Sequence, residues 1–411
     1  MNIILRPNTI QYRLAFWIEH CILAVAFFLP LSLNAASICL ALGAVLWLGK
    51  MIAAGRMDLR ATPFDALIAL LAALSALSIL SSPDRGLSFY NYYHLMGRYL
   101  VLYYLVVNNI RSIEQLKRLV ATVLVSAGLV VAYGFYQYLH GIDISAFEWV
   151  DGEQFPELKM RVFSTLHNPN LLAGFLVVMM AIAAGLGLHA DRFRDKALCC
   201  GLVLAFGTCL VLTYSRGAWL SVLAVISLYG LLYNKRLLWL LILLPVAVMA
   251  GHDVVMERLM SIANPTDTSS TLRIALWEST LAMISHNPFL GIGWGAYALV
   301  YPEYDFFVLD AGTKIFHAHN MYLHIAAEIG IPGLLTFLGL MGGHAAVAFR
   351  LAGKTRDRWT GGLMMGILAA LVGIAVSGFT DYTMFSIQLS MLFWLLNAMV
   401  MVVRLDRYRY K

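Results

Sequence analysis

The chain has 411 residues, 61% of them hydrophobic and 13% charged, with a formal net charge of +6. Soluble domains run at about 45–50% apolar and about 25% charged, so a water-soluble globular fold is excluded and much of this surface needs lipid as its solvent. A β-barrel is excluded as well, because its strands would alternate polar and apolar residues, whereas apolar runs here reach the roughly 20 residues that cross a bilayer as a helix.

The sequence predicts an all-α polytopic membrane protein, a single integral membrane domain over residues 1–411 with about 12 transmembrane helices. The spans lie near 15–34, 35–54, 63–82, 95–110, 115–139, 170–189, 196–214, 216–233, 236–251, 331–350, 360–380 and 384–403. Arg6 and Arg13 precede the first, which is long and lacks an A-x-A-type cleavage site, so it reads as an uncleaved span and not a signal peptide. Cys21, Cys39, Cys199, Cys200 and Cys209 sit in or beside apolar runs, as small buried hydrophobes do. Neither a disulfide framework nor a zinc site is expected.

An even number of spans puts both termini on one side. If that side is cytoplasmic, only Arg85, Arg98, Lys159, Arg161, Arg216, Arg258, Arg273 and Lys314 of the 29 basic residues fall on outer segments, although those are the longer ones. Positive charge retained inside is the orientation signal of multi-pass proteins. The net charge is therefore topology signal plus attraction to anionic headgroups, and no nucleic-acid partner is implied.

The unusual residues gather on the outer face, in a loop at 140–169 and a longer one at 252–330. Loops of that length carry function or are disordered. The second opens with cap residues Ser269, Ser270 and Thr271, followed by Ile274, Trp277, Leu281 and Ile284 at spacings of three and four, until His286-Asn287-Pro288 stops the pattern. This predicts an amphipathic helix along the membrane surface or over the bundle. "GIGWG" (Gly291 to Gly295) is a glycine turn, since no βαβ unit surrounds it to make a nucleotide fingerprint.

Three outward arginines stand near helix starts. Arg216, in "LTYSRGAWL", opens the eighth span, with Ser215 placed to cap it. The macrodipole disfavours a cation there, but an anion would find free N–H groups and a guanidinium together; the alternative is an arginine snorkelling to headgroups. Arg273 begins the amphipathic helix and either packs on Trp277 as a cation–π pair or touches the same anion. Arg161 precedes the sixth span beside His167, Asn168 and Asn170, where loop packing would also explain it.

In "HAHNMYLHIAAEIGIPG" (His317 to Gly333), Asn320 is a good N-cap, Met321 to Glu328 can form a short helix, Gly330 can end it and Pro332 can start the tenth span. His319 then lies at a helix N-terminus beside arginines. That setting disfavours the imidazolium and leaves a ring able to accept a proton, unless the side chain only bonds backbone. His317 and His324 read as structural histidines. His317-x-His319 could begin a metal site, but no third ligand follows at helical spacing, so no metal is expected. Glu328 either orients a partner or pairs with an arginine. A transporter or flippase would place its charges near the bilayer midplane, whereas these cluster at the outer rim. No nucleotide-binding motif is present, so group transfer on that side needs a donor activated beforehand. A lipid-linked diphosphate is such a donor: arginines can stabilise the departing diphosphate, and a neutral histidine can deprotonate the acceptor hydroxyl.

These residues resemble a known family. His319-Asn320 followed by Gly330 is similar to the signature of the O-antigen ligases (WaaL), part of a broader superfamily with the Wzy O-antigen polymerases. "YSRGAWL" at 214–220 looks like the family's second block, and Arg273 to Trp277 a third; the likeness runs from about residue 160 onward. The resemblance implies transfer of a polysaccharide from undecaprenyl diphosphate to lipid A-core at the periplasmic face of a bacterial inner membrane, with both termini cytoplasmic. Transfer would be metal-independent, without cofactor, and inverting. His319 would be the general base, Arg216 and Arg273 would hold the diphosphate, and Arg161 is a further candidate. The alternative within the superfamily is a Wzy-type polymerase, whose acceptor is a second lipid-linked repeat.

Overall fold

The computed structural model describes residues 10–141, 161–243, 268–305 and 315–407. Among these the secondary structure is helical throughout, in thirteen α-helices joined by short turns and 3₁₀ segments. They are α1 (Ile10–Phe28), α2 (Leu33–Ala54), α3 (Asp65–Ser78), α4 (Arg85–Asn109), α5 (Ile113–His140), α6 (Pro169–His189), α7 (Phe193–Val211), α8 (Arg216–Leu232), α9 (Thr268–His286), α10 (Tyr297–Val300), α11 (Met321–Lys354), α12 (Arg358–Ser377) and α13 (Ile387–Arg407). Seven are long and apolar enough to cross a membrane, namely α1, α2, α5, α6, α11, α12 and α13. The chain is an all-α polytopic membrane protein. Helices coincide with eleven of the twelve expected spans; most of the ninth, near 236–251, lies outside the described residues.

Short polar residues set the starts. The side chains of Ser32, Asp84, Ser112, Asn168 and Asp357 each accept a hydrogen bond from a backbone N–H in the first turn of α2, α4, α5, α6 and α12, satisfying donors that a helix leaves open. Two expected boundaries move. The break between the first two spans falls at Leu29–Ser32 and not near 34, because Pro30 ends one helix and Ser32 caps the next. The fourth span begins at Arg85 and not near 95, because Asp84 caps it there.

At the centre, α12 packs on α6 with glycine against glycine. A Cβ on Gly185 would run into the carbonyl of Gly362, and one on Gly366 would lie 2.9 Å from Ile182 Cα. Small residues let two apolar helices approach closely where lipid gives no hydrophobic drive for association. Around this pair, α8 and α11 pack on α12, and α4 packs on α13. At one end the bundle is basic and ion-paired: Arg111 with Asp58 at 2.7 Å, Arg358 with Asp191 at 2.7 Å, and Lys50 Nζ donating to Asn109 at 2.5 Å. At the other end lie the starts of α6, α8, α11 and α13, with α9 and α10 beside them.

The surface helix is α9, and it lies over the bundle against α11. Its buried stripe is Leu276, Ser279, Thr280 and Met283, while Ile274 and Leu281 of the expected apolar stripe are exposed. Thr280 allows this rotation: it donates to Leu276 O and pairs with Tyr297 Oη at 2.7 Å, so its hydroxyl is buried with its bonds made.

Candidate active site

The local reading of residues 317–333 holds. Asn320 caps α11, accepting from Tyr322 N and Leu323 N at 3.0 Å. The helix breaks at Ile329 and Gly330, where Gly330 has φ 72°, and resumes beyond Pro332. The break is docked on the glycine turn. Ile292 N donates to Ala327 O at 2.8 Å, Gly293 N to Glu328 O at 3.1 Å and Ile331 N to Pro288 O at 2.8 Å. Gly291, Gly293 and Gly295 all have positive φ, and each lies against another segment so tightly that a Cβ would clash. The turn "GIGWG" is thus the partner of the broken span.

Three hydrogen bonds sew the start of α11 to the end of α12. Met321 N donates to Gly378 O at 2.8 Å, Asn320 Nδ2 to Phe379 O at 3.2 Å and Tyr322 Oη to Ala375 O at 2.6 Å. This seam brings His319 onto Asp381, whose Oδ1 lies 3.1 Å from His319 Nδ1. A carboxylate can only accept, so Nδ1 carries the hydrogen, and in the neutral ring Nε2 is then the acceptor. The His319 side chain is 33% exposed and Asp381 13%, so the ring is open to a ligand while its partner is covered. His319 has φ 47°, a left-handed conformation that a non-glycine residue holds only when its surroundings dictate it.

His317 supports this arrangement. It accepts the His319 backbone N–H at its Nδ1, 3.2 Å away, with ring centroids 4.2 Å apart. Burial, then the nearby His319, pushes its pKa down to about 3, aided by His324 and Arg273 and opposed by Asp381, so it is a neutral ring. For Asp381, burial acts to raise the pKa. The His319 hydrogen bond and the charges of His319, His317 and Arg273 outweigh it and hold the carboxyl well below its ordinary range. Asp381 is the residue that sequence reasoning missed. Its signal was a lone carboxylate in the outer link between two apolar spans, in "SGFTDYTMF".

The arginines come to the same end. Arg273, at the start of α9, is near enough to act electrostatically on both His317 and Asp381. Arg216 opens α8, and Gly217 beside it packs so closely on Thr380 that a Cβ would strike its hydroxyl; Thr380 precedes Asp381. Ser215 makes no side-chain cap on α8, contrary to expectation; the turn is held instead by Ser215 N donating to Thr213 Oγ1 at 3.3 Å. Arg161 donates from Nε to Thr213 O at 2.9 Å and from a terminal nitrogen to Asn170 Oδ1 at 3.0 Å, which braces the link leading into Arg216. Glu328 faces His324: its Oε1 lies 3.3 Å from His324 Nε2 and accepts weakly from Tyr297 N at 3.4 Å. The His324 ring lies tilted against those of Tyr297 and Tyr382, with centroids 4.8 and 4.4 Å away.

At helical spacing His317-x-His319 has no third metal ligand, but the fold brings one from another element. Asp381 supplies one: ligand atoms of His317, His319 and Asp381 lie within 4.8 Å of one another. Two imidazoles and a carboxylate suit a divalent transition ion, although binding through Nδ1 would cost the His319–Asp381 hydrogen bond.

Residues 200–338 match the family model described as "O-Antigen ligase". No curated protein matches the chain significantly. A chain of the solved structure described as "Structural coordination of polymerization and crosslinking by a peptidoglycan synthase complex" is similar at 21% identity, over 84% of this chain and 98% of that one, with a TM-score of 0.46.

Proposed function

We propose that this chain, whose residues 200–338 match the O-antigen ligase family model, is a member of the superfamily of O-antigen ligases and Wzy polymerases and acts as an O-antigen ligase. It transfers a polysaccharide from undecaprenyl diphosphate to lipid A-core at the periplasmic face of the bacterial inner membrane. The observation that carries this reading is the His319–Asp381 pair, 3.1 Å apart and partly open, at the end of the bundle where Arg216, Arg273 and Arg161 converge. The scarcity of basic residues on the outer segments supports the periplasmic placement.

In the step that follows, His319 Nε2 takes the proton of an acceptor sugar hydroxyl as its oxygen bonds to C1 of the donor sugar. The C1–oxygen bond to the diphosphate breaks, and its electron pair leaves with undecaprenyl diphosphate. One displacement inverts C1. Asp381 fixes the Nδ1–H tautomer and balances the imidazolium that forms. Arg216 and Arg273, with the positive end of α8, meet the charge growing on the diphosphate; Arg161 holds the Thr213–Ser215 link in place.

The test is reconstitution of the full chain with lipid-linked glycan and either lipid A-core or a second lipid-linked repeat, with and without chelator. Sugar is expected on lipid A-core, unchanged by chelator, and His319→Ala is expected to lose at least about 10²-fold in rate. Full activity of His319→Ala would end the base assignment. Sugar appearing only on the second repeat would make the enzyme a polymerase. Loss of activity in chelator would assign the His317, His319 and Asp381 set to a metal.

A further inference from the structure

Beside the dyad lies a cavity of about 1050 Å³ that the mechanism above does not use. The geometry points to its upper part as the subsite for the acceptor saccharide, a neutral sugar presented with its hydroxyl toward His319. This deepens the transfer reading and rests on it.

The first argument is stereochemical. A displacement at C1 needs the nucleophile in line with, and opposite to, the departing diphosphate. Asp381 stands between two regions along the chain. Thr380, on one side of it in the chain, packs on the start of α8 beside Arg216. Tyr382, on the other side, lines the cavity. A diphosphate on the arginine side therefore leaves the cavity side for the attacking hydroxyl.

The second argument is charge. Asp305 and Glu328 line the cavity, and among the described residues no lysine or arginine does. A diphosphate would be repelled there, and a neutral sugar would not.

The third argument is unfilled hydrogen-bonding capacity. His324 is only 1% exposed, yet its Nδ1 is buried without a hydrogen-bond partner among the described residues, as is Nε1 of Trp294. Buried polar atoms in folded proteins nearly always find partners; both residues line the cavity, and because the two atoms are themselves covered, a turn of each ring is what presents them to a bound hydroxyl. Asn91 and Gln388 add amides to the same wall, and the Tyr382 and Phe385 rings add apolar faces. Amides, a carboxylate, an indole N–H and aromatic faces together suit a sugar, which shows hydroxyls at its edge and C–H groups on its face. The floor is apolar: Trp394 lies seven residues into α13 and Phe337 seven beyond the break at Gly330 in α11, about 10 Å along each helix at 1.5 Å per residue.

The experiment uses the reconstituted full chain and measures the acceptor and donor KM separately for Glu328→Gln and Trp294→Phe. Glu328→Gln removes a negative charge at constant shape and Trp294→Phe removes the indole N–H, and neither residue takes part in the chemical step. The acceptor KM is expected to rise about tenfold, the size of one lost hydrogen bond at about 1.4 kcal/mol, with the donor KM unchanged. A rise in the donor KM, or no change in either, overturns the subsite. If Glu328→Gln melts below the assay temperature, Trp294→Phe decides alone. A wild-type chain that transfers no sugar at all would instead overturn the transfer reading itself.

Discussion

His319 can serve as a base only in the tautomer that Asp381 selects. Asp381→Asn keeps the shape but offers an amide that can turn either way and no longer balances a charged ring. Its kcat is expected to fall by about 10²-fold or more, with the donor KM hardly moved, in a steady-state assay; an unchanged kcat would remove Asp381 from the step. His317 makes a prediction about pH. Its folded pKa of about 3 lies below the ordinary 6.5, so between those values the unfolded chain binds a proton that the folded chain does not. Stability therefore falls as the pH drops through that window. Asp381 acts in the same direction at lower pH, because its depressed carboxyl stabilises the fold above the ordinary carboxylate range and ceases to as it protonates. The melting temperature of purified protein between pH 7 and pH 4 is expected to decline less steeply in His317→Gln than in the parent; parallel curves would contradict this. His319 was legible in the sequence because its context is local, a cap at Asn320 and a stop at Gly330. Asp381 was not, because it lies 62 residues away and is joined to His319 only by the seam between α11 and α12.

At the scale of the element, the break in α11 is the feature most exposed to mutation. Gly330 sits in the left-handed region with its missing Cβ directed at the carbonyl of Phe289. Gly330→Ala is expected to cost at least about 1–2 kcal/mol for the backbone conformation alone, and more for the displaced turn. A clear drop in melting temperature checks this, and none would mean the turn can withdraw freely. The break could be foreseen, because glycine and proline punctuate helices by simple sterics. The packed face of α9 could not. Its periodicity offered Ile274, Trp277, Leu281 and Ile284, but burial of the adjacent face was decided by whether Ser279 and Thr280 could be accommodated, and Tyr297, in a different element, accommodates Thr280.

For the whole molecule, the apolar runs specified the helices almost unaided, since a bilayer permits few other structures. How they pack was hidden, because lipid-facing and core-facing positions are both apolar. The two ends of the bundle give a test of orientation. In a variant without its native cysteines, Leu299→Cys on the dyad's end is expected to react with an impermeant thiol reagent added to the periplasm of intact spheroplasts. Leu59→Cys at the basic end is expected to react only after lysis. Both side chains are exposed, at 41% and 53%, so access depends on side alone, and the reverse pattern would end the periplasmic assignment.

The docking of the glycine turn on the broken span has one more consequence. Three backbone hydrogen bonds fasten residues 288–293 to residues 327–331, so this ceiling is joined to the very helix it covers. Raising it like a hatch would sever all three and expose carbonyls that the helix break has already deprived of internal partners. Under the transfer reading, a turn so fixed would stay in place through each cycle, and a substrate tethered in the membrane would arrive sideways, along the plane of the bilayer.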